Sequence, residues 1–240
     1  MSVRLDVGLA LRQIGDVAAT DSTPILALGA VLVTLPAVLS AVAGPGHSAG
    51  TILAVVSGLG AALFATLVNY GTTARLLGKP LGARDYFRRS MIASPPGFSV
   101  ALLLGAAGVL IAIVDLIAGA STPFGLAITL TAATLVIAGA IILLPAIPLA
   151  LSERCPPFAA LAAAARLTRG NRWRIAGLLA VAAVAIGPAA LMIGTPTQLN
   201  CGSSLGDARL WVWLLFELLA AGIVATIPAV VYSQLNNRTR

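Results

Sequence analysis

Two carboxylates lie within long apolar runs of this sequence. Asp115 falls in the run Phe98–Ala118 and Glu217 in the run Leu210–Tyr232. An ionised acid at the centre of a membrane helix costs about 2.5–3.5 kcal/mol on the insertion scale, so such residues often mark a site for an ion, a proton or a polar ligand. Together with Arg209 they are candidates for a polar cluster that faces the external side. The alternative is a structural tie between helices, or acids that reach the headgroup level.

A second set of candidates is basic and lies in two long connections between apolar runs. Arginines next to the cytoplasmic leaflet attract anionic lipids, each contributing about 1 kcal/mol near the surface. The alternative is that these residues only determine the topology. The set comprises Arg84, Arg88, Arg89, Arg166, Arg169, Arg172 and Arg174.

Several kinds of chemistry have no counterpart in the sequence. It contains no nucleophile–base arrangement, no ligand spacing for a metal and no phosphate-binding glycine loop. We therefore expect no enzymatic activity, no metal and no cofactor. The net charge of +7 would favour nucleic acid in a soluble protein, but no nucleic-acid-binding motif accompanies it. The expected partners are membrane lipids and other membrane proteins, while the oligomeric state stays open.

The elements that would position these residues are membrane helices. The chain of 240 residues is 59% hydrophobic and only 10% charged, against about a quarter in soluble domains. A helix of about 20 apolar residues crosses a bilayer. The fourth apolar run could break near Pro145 and Pro148. Six runs are long enough: Pro24–Ala43, Thr51–Tyr70, Phe98–Ala118, Pro123–Leu151, Ile175–Gly194 and Leu210–Tyr232.

The basic residues also predict an orientation. Fourteen of the 15 Lys and Arg residues lie in the two tails and in the connections after the second and fourth runs, and only Arg209 lies on the other side. The positive-inside rule places the basic side, and hence both termini, in the cytoplasm. Charged residues interrupt the first 22 positions, so we expect no cleavable signal peptide.

A threefold repeat organises the chain. The segments Leu5–Val17, Leu81–Ile92 and Phe158–Arg169 begin 76 and 77 residues apart, and each precedes a pair of apolar runs. Their apolar faces, and the residues that begin or end helices within them, favour short elbow helices at the membrane surface over plain solvated loops. In the second segment, Tyr86 and Phe87 are candidate membrane-facing aromatics. We therefore predict one all-α membrane domain over residues 1–240, with repeat units at about 1–79, 80–155 and 156–240.

The third elbow carries the most recognisable residues, Leu167-Thr168-Arg169-Gly170-Asn171-Arg172-Trp173-Arg174-Ile175. With the start Leu5-Asp6-Val7-Gly8 and the step Ser152-Glu153-Arg154, this stretch resembles the bacterial membrane-domain family of glycerophosphoryl diester phosphodiesterase. The resemblance implies six helices with elbows in a bacterial inner membrane. No catalytic barrel follows Arg240, so phosphodiesterase activity is not expected.

Two function classes remain after this reading of the sequence. The first is a non-enzymatic inner-membrane protein, either a scaffold or a lipid-associated accessory protein. The second is a small transporter or permease-like protein that uses Asp115 and Glu217. A transporter predicts a hydrated cavity that reaches these acids, whereas a scaffold predicts a closed bundle and an exposed partner surface.

Overall fold

The chain folds entirely as helices over the part that the structure describes. The computed structural model describes residues 4–43, 48–118, 123–193 and 208–236. A π-helical turn at Ala30–Thr34 joins the second and third helices. In chain order the helices are α1 (Val7–Thr20), α2 (Ser22–Gly29), α3 (Leu35–Ala43), α4 (Ser48–Leu76), α5 (Ala83–Ala93), α6 (Pro95–Ala118), α7 (Pro123–Leu143), α8 (Ala146–Glu153), α9 (Pro157–Leu167), α10 (Arg172–Ile193) and α11 (Ala208–Asn236).

The predicted all-α class is confirmed, and several helices have the length and composition of membrane spans. Five helical stretches of the described chain are long and apolar enough to cross a membrane, and a sixth results if α5 and α6 are counted together. These two helices meet at a bend of 71°, where Ser94 and the following prolines end α5. The five stretches are Ser22–Leu39, Val55–Leu76, Gly125–Glu153, Arg172–Ala189 and Trp211–Asn236.

The three predicted elbow segments are helices, and local residues explain their ends. The Asp6 side chain caps α1 by accepting a hydrogen bond from the backbone N–H of Leu9 at 3.1 Å. Pro156 and Pro157 begin α9, where their missing N–H groups have no helical partner to lose. Gly170 follows α9 with φ +92°, a backbone conformation that costs glycine little. We keep the name elbow helices for α1, α5 and α9.

Two prolines interrupt helices, as their missing N–H predicts. The fourth apolar run breaks at Leu144 and Pro145, between α7 and α8. In the first run, Pro36 has no N–H for the carbonyl of Leu32, and the π-helical turn lies just before it. There the N–H of Leu35 bonds to the carbonyl of Ala30, five residues back.

Three helices form the inner layer of the bundle. Helices α4, α8 and α11 all contact one another, and the remaining helices pack around them. The elbow helices lie at one end of this layer: α5 packs against α4 and α2, α9 against α8, α7 and α6, and α1 against α11 and α10. We call this end, which also carries the arginine-rich connections, the basic end.

Burial is concentrated at the basic end. In α4, residues 66–69 are buried, whereas Val55 and Val56 are exposed. In α11, residues 229–235 are all buried, whereas Trp211 and Leu215 are more than half exposed. The opposite halves of the helices therefore present apolar side chains outward, which is favourable in hydrocarbon and unfavourable in water.

A close backbone contact joins α4 to the distorted part of the first run. A Cβ added at Gly60 would overlap the carbonyl oxygen of Leu32. This is the carbonyl that Pro36 leaves without its usual partner. Glycine thus lets the two helices approach, and a Cα–H group can face the freed oxygen.

We predict that Gly60→Ala destabilises the bundle although alanine is the better helix former. Alanine gains about 0.8–1.0 kcal/mol of helix propensity. The overlap with a backbone oxygen should cost about 1–3 kcal/mol and cannot be relieved by a rotamer change. The midpoint of thermal unfolding in detergent should therefore fall.

Gly58→Ala is the matched control, because a Cβ at Gly58 has no atom within 4 Å. Its midpoint should stay unchanged or rise. Equal midpoints for the two variants would contradict the contact between Gly60 and Leu32.

Candidate lipid-contacting surface at the basic end

Helix α5 is held on α4 by an aromatic ring that fills the space beside a glycine. Tyr86 is only 1% exposed, and a Cβ at Gly71 would overlap its ring. The hydroxyl of Tyr86 donates to the carbonyl of Val68 at 3.3 Å. The prediction that Tyr86 faces the membrane is therefore wrong, because the ring anchors α5 to the bundle. Phe87, by contrast, is 52% exposed.

An ion pair lies beside this anchor. Arg75, near the end of α4, bonds to the carboxylate of Asp21 between α1 and α2. The Asp21 side chain is 8% exposed and that of Arg75 27%. Burial raises the pKa of Asp21, and the charge and hydrogen bond of Arg75 oppose this by a smaller amount. The pair connects the start of the first hairpin to its second helix.

The charged side chains of α5 itself are exposed and fall on two sides of the helix. Arg89 lies 3.9 Å from Asp85, one turn earlier. At about 100° per residue, Arg84 and Arg88 lie about 40° apart and more than 90° from Arg89. Within the described residues neither Arg84 nor Arg88 has an ion pair. Two of the three predicted α5 arginines are thus available to an external anion.

The third elbow holds the N-terminal segment. The side-chain oxygen of Asn171 is buried and accepts a hydrogen bond from the N–H of Leu5 at 2.8 Å. Arg174 donates to the carbonyl of Leu5 at 2.6 Å. Both polar groups of the Leu5 backbone are therefore satisfied, the N–H by the turn between α9 and α10 and the carbonyl by the first turn of α10. Sequence reasoning assigned Arg174 to lipid contact and missed this second role, because its partner is 169 residues away.

The other predicted arginines of this region are exposed. Arg166 lies in the last turn of α9, Arg169 follows it, and Arg172 begins α10. Large apolar side chains accompany them, with Trp173 91% and Phe158 72% exposed. Adjacent cationic and aromatic side chains suit the boundary between headgroups and acyl chains.

A stripe of buried polar side chains runs along α4 and was also missed. Thr66, Asn69, Thr72 and Thr73 are at most 6% exposed. The Asn69 amide donates to the carbonyl of Ala65, one turn earlier. Their spacing of three and four residues, across the end of the second apolar run, was the available signal, because it places them on one side of a helix.

Only one member of the predicted acidic cluster has a described side chain. Glu217 is half-buried, and among the described residues its Oε2 atom has no hydrogen-bond partner. It lies one residue from Leu218, which packs over Gly29 in the first hairpin. The side chains of Asp115 and Arg209 lie outside the described residues, so the predicted proximity of the three stays a prediction.

The chain matches no family model, no curated protein and no solved structure. Within the described part of the chain, no group of three or more His, Cys, Asp or Glu residues is placed to hold a metal ion.

We predict that Arg75→Gln destabilises the protein in a pH-dependent way. Loss of the arginine removes the interactions that lower the pKa of buried Asp21, so this pKa should rise further above its ordinary value of 3.8. The deficit in unfolding midpoint relative to the unmodified protein should be small while Asp21 is protonated. It should grow as the pH rises through the interval between the two folded-state pKa values, both of which lie above 3.8.

The double variant Asp21→Asn/Arg75→Gln serves as the control, because it has no carboxylate to titrate and should lose the pH dependence. A deficit for Arg75→Gln that is equal at pH 4 and pH 8 would contradict this account.

Proposed function

We propose that this protein is a non-enzymatic, multi-pass protein of the bacterial inner membrane that serves as a lipid-associated scaffold. Its expected partners are anionic lipids at the basic end and other membrane proteins along the apolar helix faces. The resemblance to a phosphodiesterase membrane domain is part of this proposal.

One observation carries the proposal. All seven predicted lipid-contacting arginines are exposed. They lie on or beside the elbow helices α5 and α9, close in sequence to the large exposed apolar side chains of Phe87, Phe158 and Trp173. A surface that is both cationic and apolar is stable where a bilayer supplies phosphate groups and hydrocarbon within a few ångströms of each other.

The packing of the elbow helices supports six spans in a threefold repeat. Each elbow packs against the hairpin of the preceding repeat, with α1 on the last hairpin, α5 on the first and α9 on the second. Such cyclic packing is expected if three similar units close on one another around α4, α8 and α11. In this proposal α5 ends at the membrane surface and α6 is the third span.

The proposed orientation of the chain in the membrane is inferred from the elbow helices of these three units. If the elbow helices lie in one leaflet, the cytoplasmic one is favoured because the arginines concentrate there. The proposal accordingly places both termini in the cytoplasm.

A scaffold is favoured over an enzyme or a transporter by the nature of the packed end. Direct side-chain contacts join helices there: Ser152 of α8 donates to the hydroxyl of Tyr232 of α11 at 2.6 Å, and Gln234 of α11 donates to Gln13 of α1 at 3.0 Å. Such side chain–side chain bonds between helices favour a closed bundle with its partner surface outside.

We expect anionic phospholipid to stabilise the purified protein more than zwitterionic phospholipid does. Phosphatidylglycerol should raise the unfolding midpoint above that in phosphatidylcholine at low salt, and 0.5 M NaCl should remove most of the difference because it screens exposed charges. The combined variant Arg166→Gln/Arg169→Gln/Arg172→Gln should lose much of the difference, at about 1 kcal/mol per arginine. Arg174 is kept in all variants because it holds Leu5.

The triple Arg→Lys variant at the same positions is the control and should retain the effect, since it keeps the charge. Equal midpoints of the unmodified protein in both lipids would overturn the proposed lipid association.

Glu217 supports a second candidate, a small transporter or permease-like protein. Its Oε2 atom is buried without a hydrogen-bond partner among the described residues, in a helix that is otherwise apolar at this level. An acid in this position is suited to bind a cation or a proton.

If Glu217 binds a cation, Na⁺ or K⁺ should raise the unfolding midpoint, and Glu217→Gln should abolish this response while preserving the shape of the side chain. Glu153→Gln, at an exposed acid near the end of α8, should leave the response intact. A midpoint that is indifferent to both cations, or a response that survives in Glu217→Gln, would reject cation binding at Glu217.

A further inference from the structure

We infer that a groove between the first hairpin and α5 binds one acyl chain of an anionic phospholipid whose phosphate contacts Arg84 and Arg88. This inference rests on the proposed lipid association and assigns it a specific site. The groove has a volume of about 490 Å³, within the usual range of small-molecule sites.

The chemistry of the walls indicates hydrocarbon as the occupant. Helix α2 and the π-helical turn contribute residues such as Ala27 and Val31, α4 contributes Leu63, and α5 covers them with Phe87 and Met91. Of the two hydroxyl groups in the lining, that of Tyr86 is already directed to the carbonyl of Val68. A polar solute would lose its hydration here and gain few hydrogen bonds in return.

The groove is open toward the side on which lipid would lie. Val31 is 61% exposed, Phe87 52% and Met91 40%. From Pro24 to Val31 the wall extends about 10 Å along the helix axis. An acyl chain could therefore enter laterally and lie along α2 while its headgroup stays level with α5.

Charge at the rim selects the headgroup. Arg84 lies about 20° from Met91 around α5 and Arg88 about 60° from it, so they are the α5 arginines nearest the exposed edge of the groove. Arg89 lies on the far side of α5 beside Asp85. Two guanidinium groups one helical turn apart can share a phosphate through charge-assisted hydrogen bonds. A headgroup without a compensating ammonium leaves the net attraction intact, which favours an anionic lipid.

The two parts of the site make different demands. A soluble phosphate ester would use the arginines and leave the groove empty, and an uncharged chain would use only the groove. Tight binding should need a phosphate and an acyl chain in one molecule. A phospholipid of the surrounding leaflet has both and is therefore the expected ligand.

The test measures binding of dioleoyl phosphatidylglycerol and dioleoyl phosphatidylcholine to the full chain in detergent, by native mass spectrometry. We expect Arg84→Gln/Arg88→Gln to weaken phosphatidylglycerol binding about tenfold and to leave phosphatidylcholine binding nearly unchanged. Arg84→Lys/Arg88→Lys should recover part of the loss. Arg166→Gln/Arg169→Gln, with the same change in net charge, should have less than a threefold effect on this site.

A second pair of variants tests the groove. Ala27→Trp should fill it and weaken binding of the same lipid about tenfold. Ala127→Trp, at an exposed position of α7 away from the groove, is the control and should not. Circular dichroism and size-exclusion chromatography of each variant establish that it is folded before its affinity is compared.

Each failure has a distinct meaning. Equal losses for the two arginine pairs would overturn the specific site but leave general lipid association standing. No preference of the unmodified protein for phosphatidylglycerol would overturn both. Full affinity in Ala27→Trp would exclude the groove, and glycerol 3-phosphate binding as tightly as the lipid would replace the lipid site by a phosphate site.

Discussion

The close contact among α4, α8 and α11 at the basic end is the interaction on which the rest of the structure depends. Small residues let outer helices pack closely on this layer: Gly97 of α6 leaves room for Leu151 of α8, and Gly71 of α4 leaves room for Tyr86 of α5. In hydrocarbon there is no hydrophobic drive between helices, so shape fit and interhelical hydrogen bonds must hold them together. The bond between Ser152 and Tyr232 contributes such a link where α8 meets α11.

The elbow helices depend on that packed layer. Each is too short to be stable alone in water, because nucleation of a helix is costly. Docking supplies the missing stability, through Tyr86 for α5, through Ala160 and Ala164 for α9, and through Ala10 and Ile14 for α1. The outer faces are then free to carry arginine and exposed aromatic residues, which is the physical basis of the proposed lipid association.

The contrast between the packed basic end and the apolar opposite end also distinguishes the two candidate functions. The basic end is closed by large side chains and direct hydrogen bonds, whereas the opposite halves of the helices expose apolar residues. Lipid binding needs only the outer surface and tolerates this arrangement. Transport through the bundle would require the packed end to open, and Glu217 is the residue that gives this possibility a physical basis.

The elements themselves could be predicted from the sequence, because their causes are local. Apolar runs of bilayer length, the prolines that begin or interrupt helices, and Gly170 after α9 act through residues a few positions away. The break at Pro145 and the exposure of Arg84, Arg88 and Arg89 followed from such signals. Orientation and the threefold repeat stay predictions of the same kind.

Only the tertiary structure decided which distant residues meet. Asn171 binds Leu5 across 166 positions, Asp21 binds Arg75 across 54, and Tyr86 fills the space beside Gly71 rather than facing lipid. Each of these contacts depends on the rotation and register of one helix against another. Composition and spacing constrain neither quantity, because any apolar face can pack against any other until side-chain shape and hydrogen bonding select one arrangement.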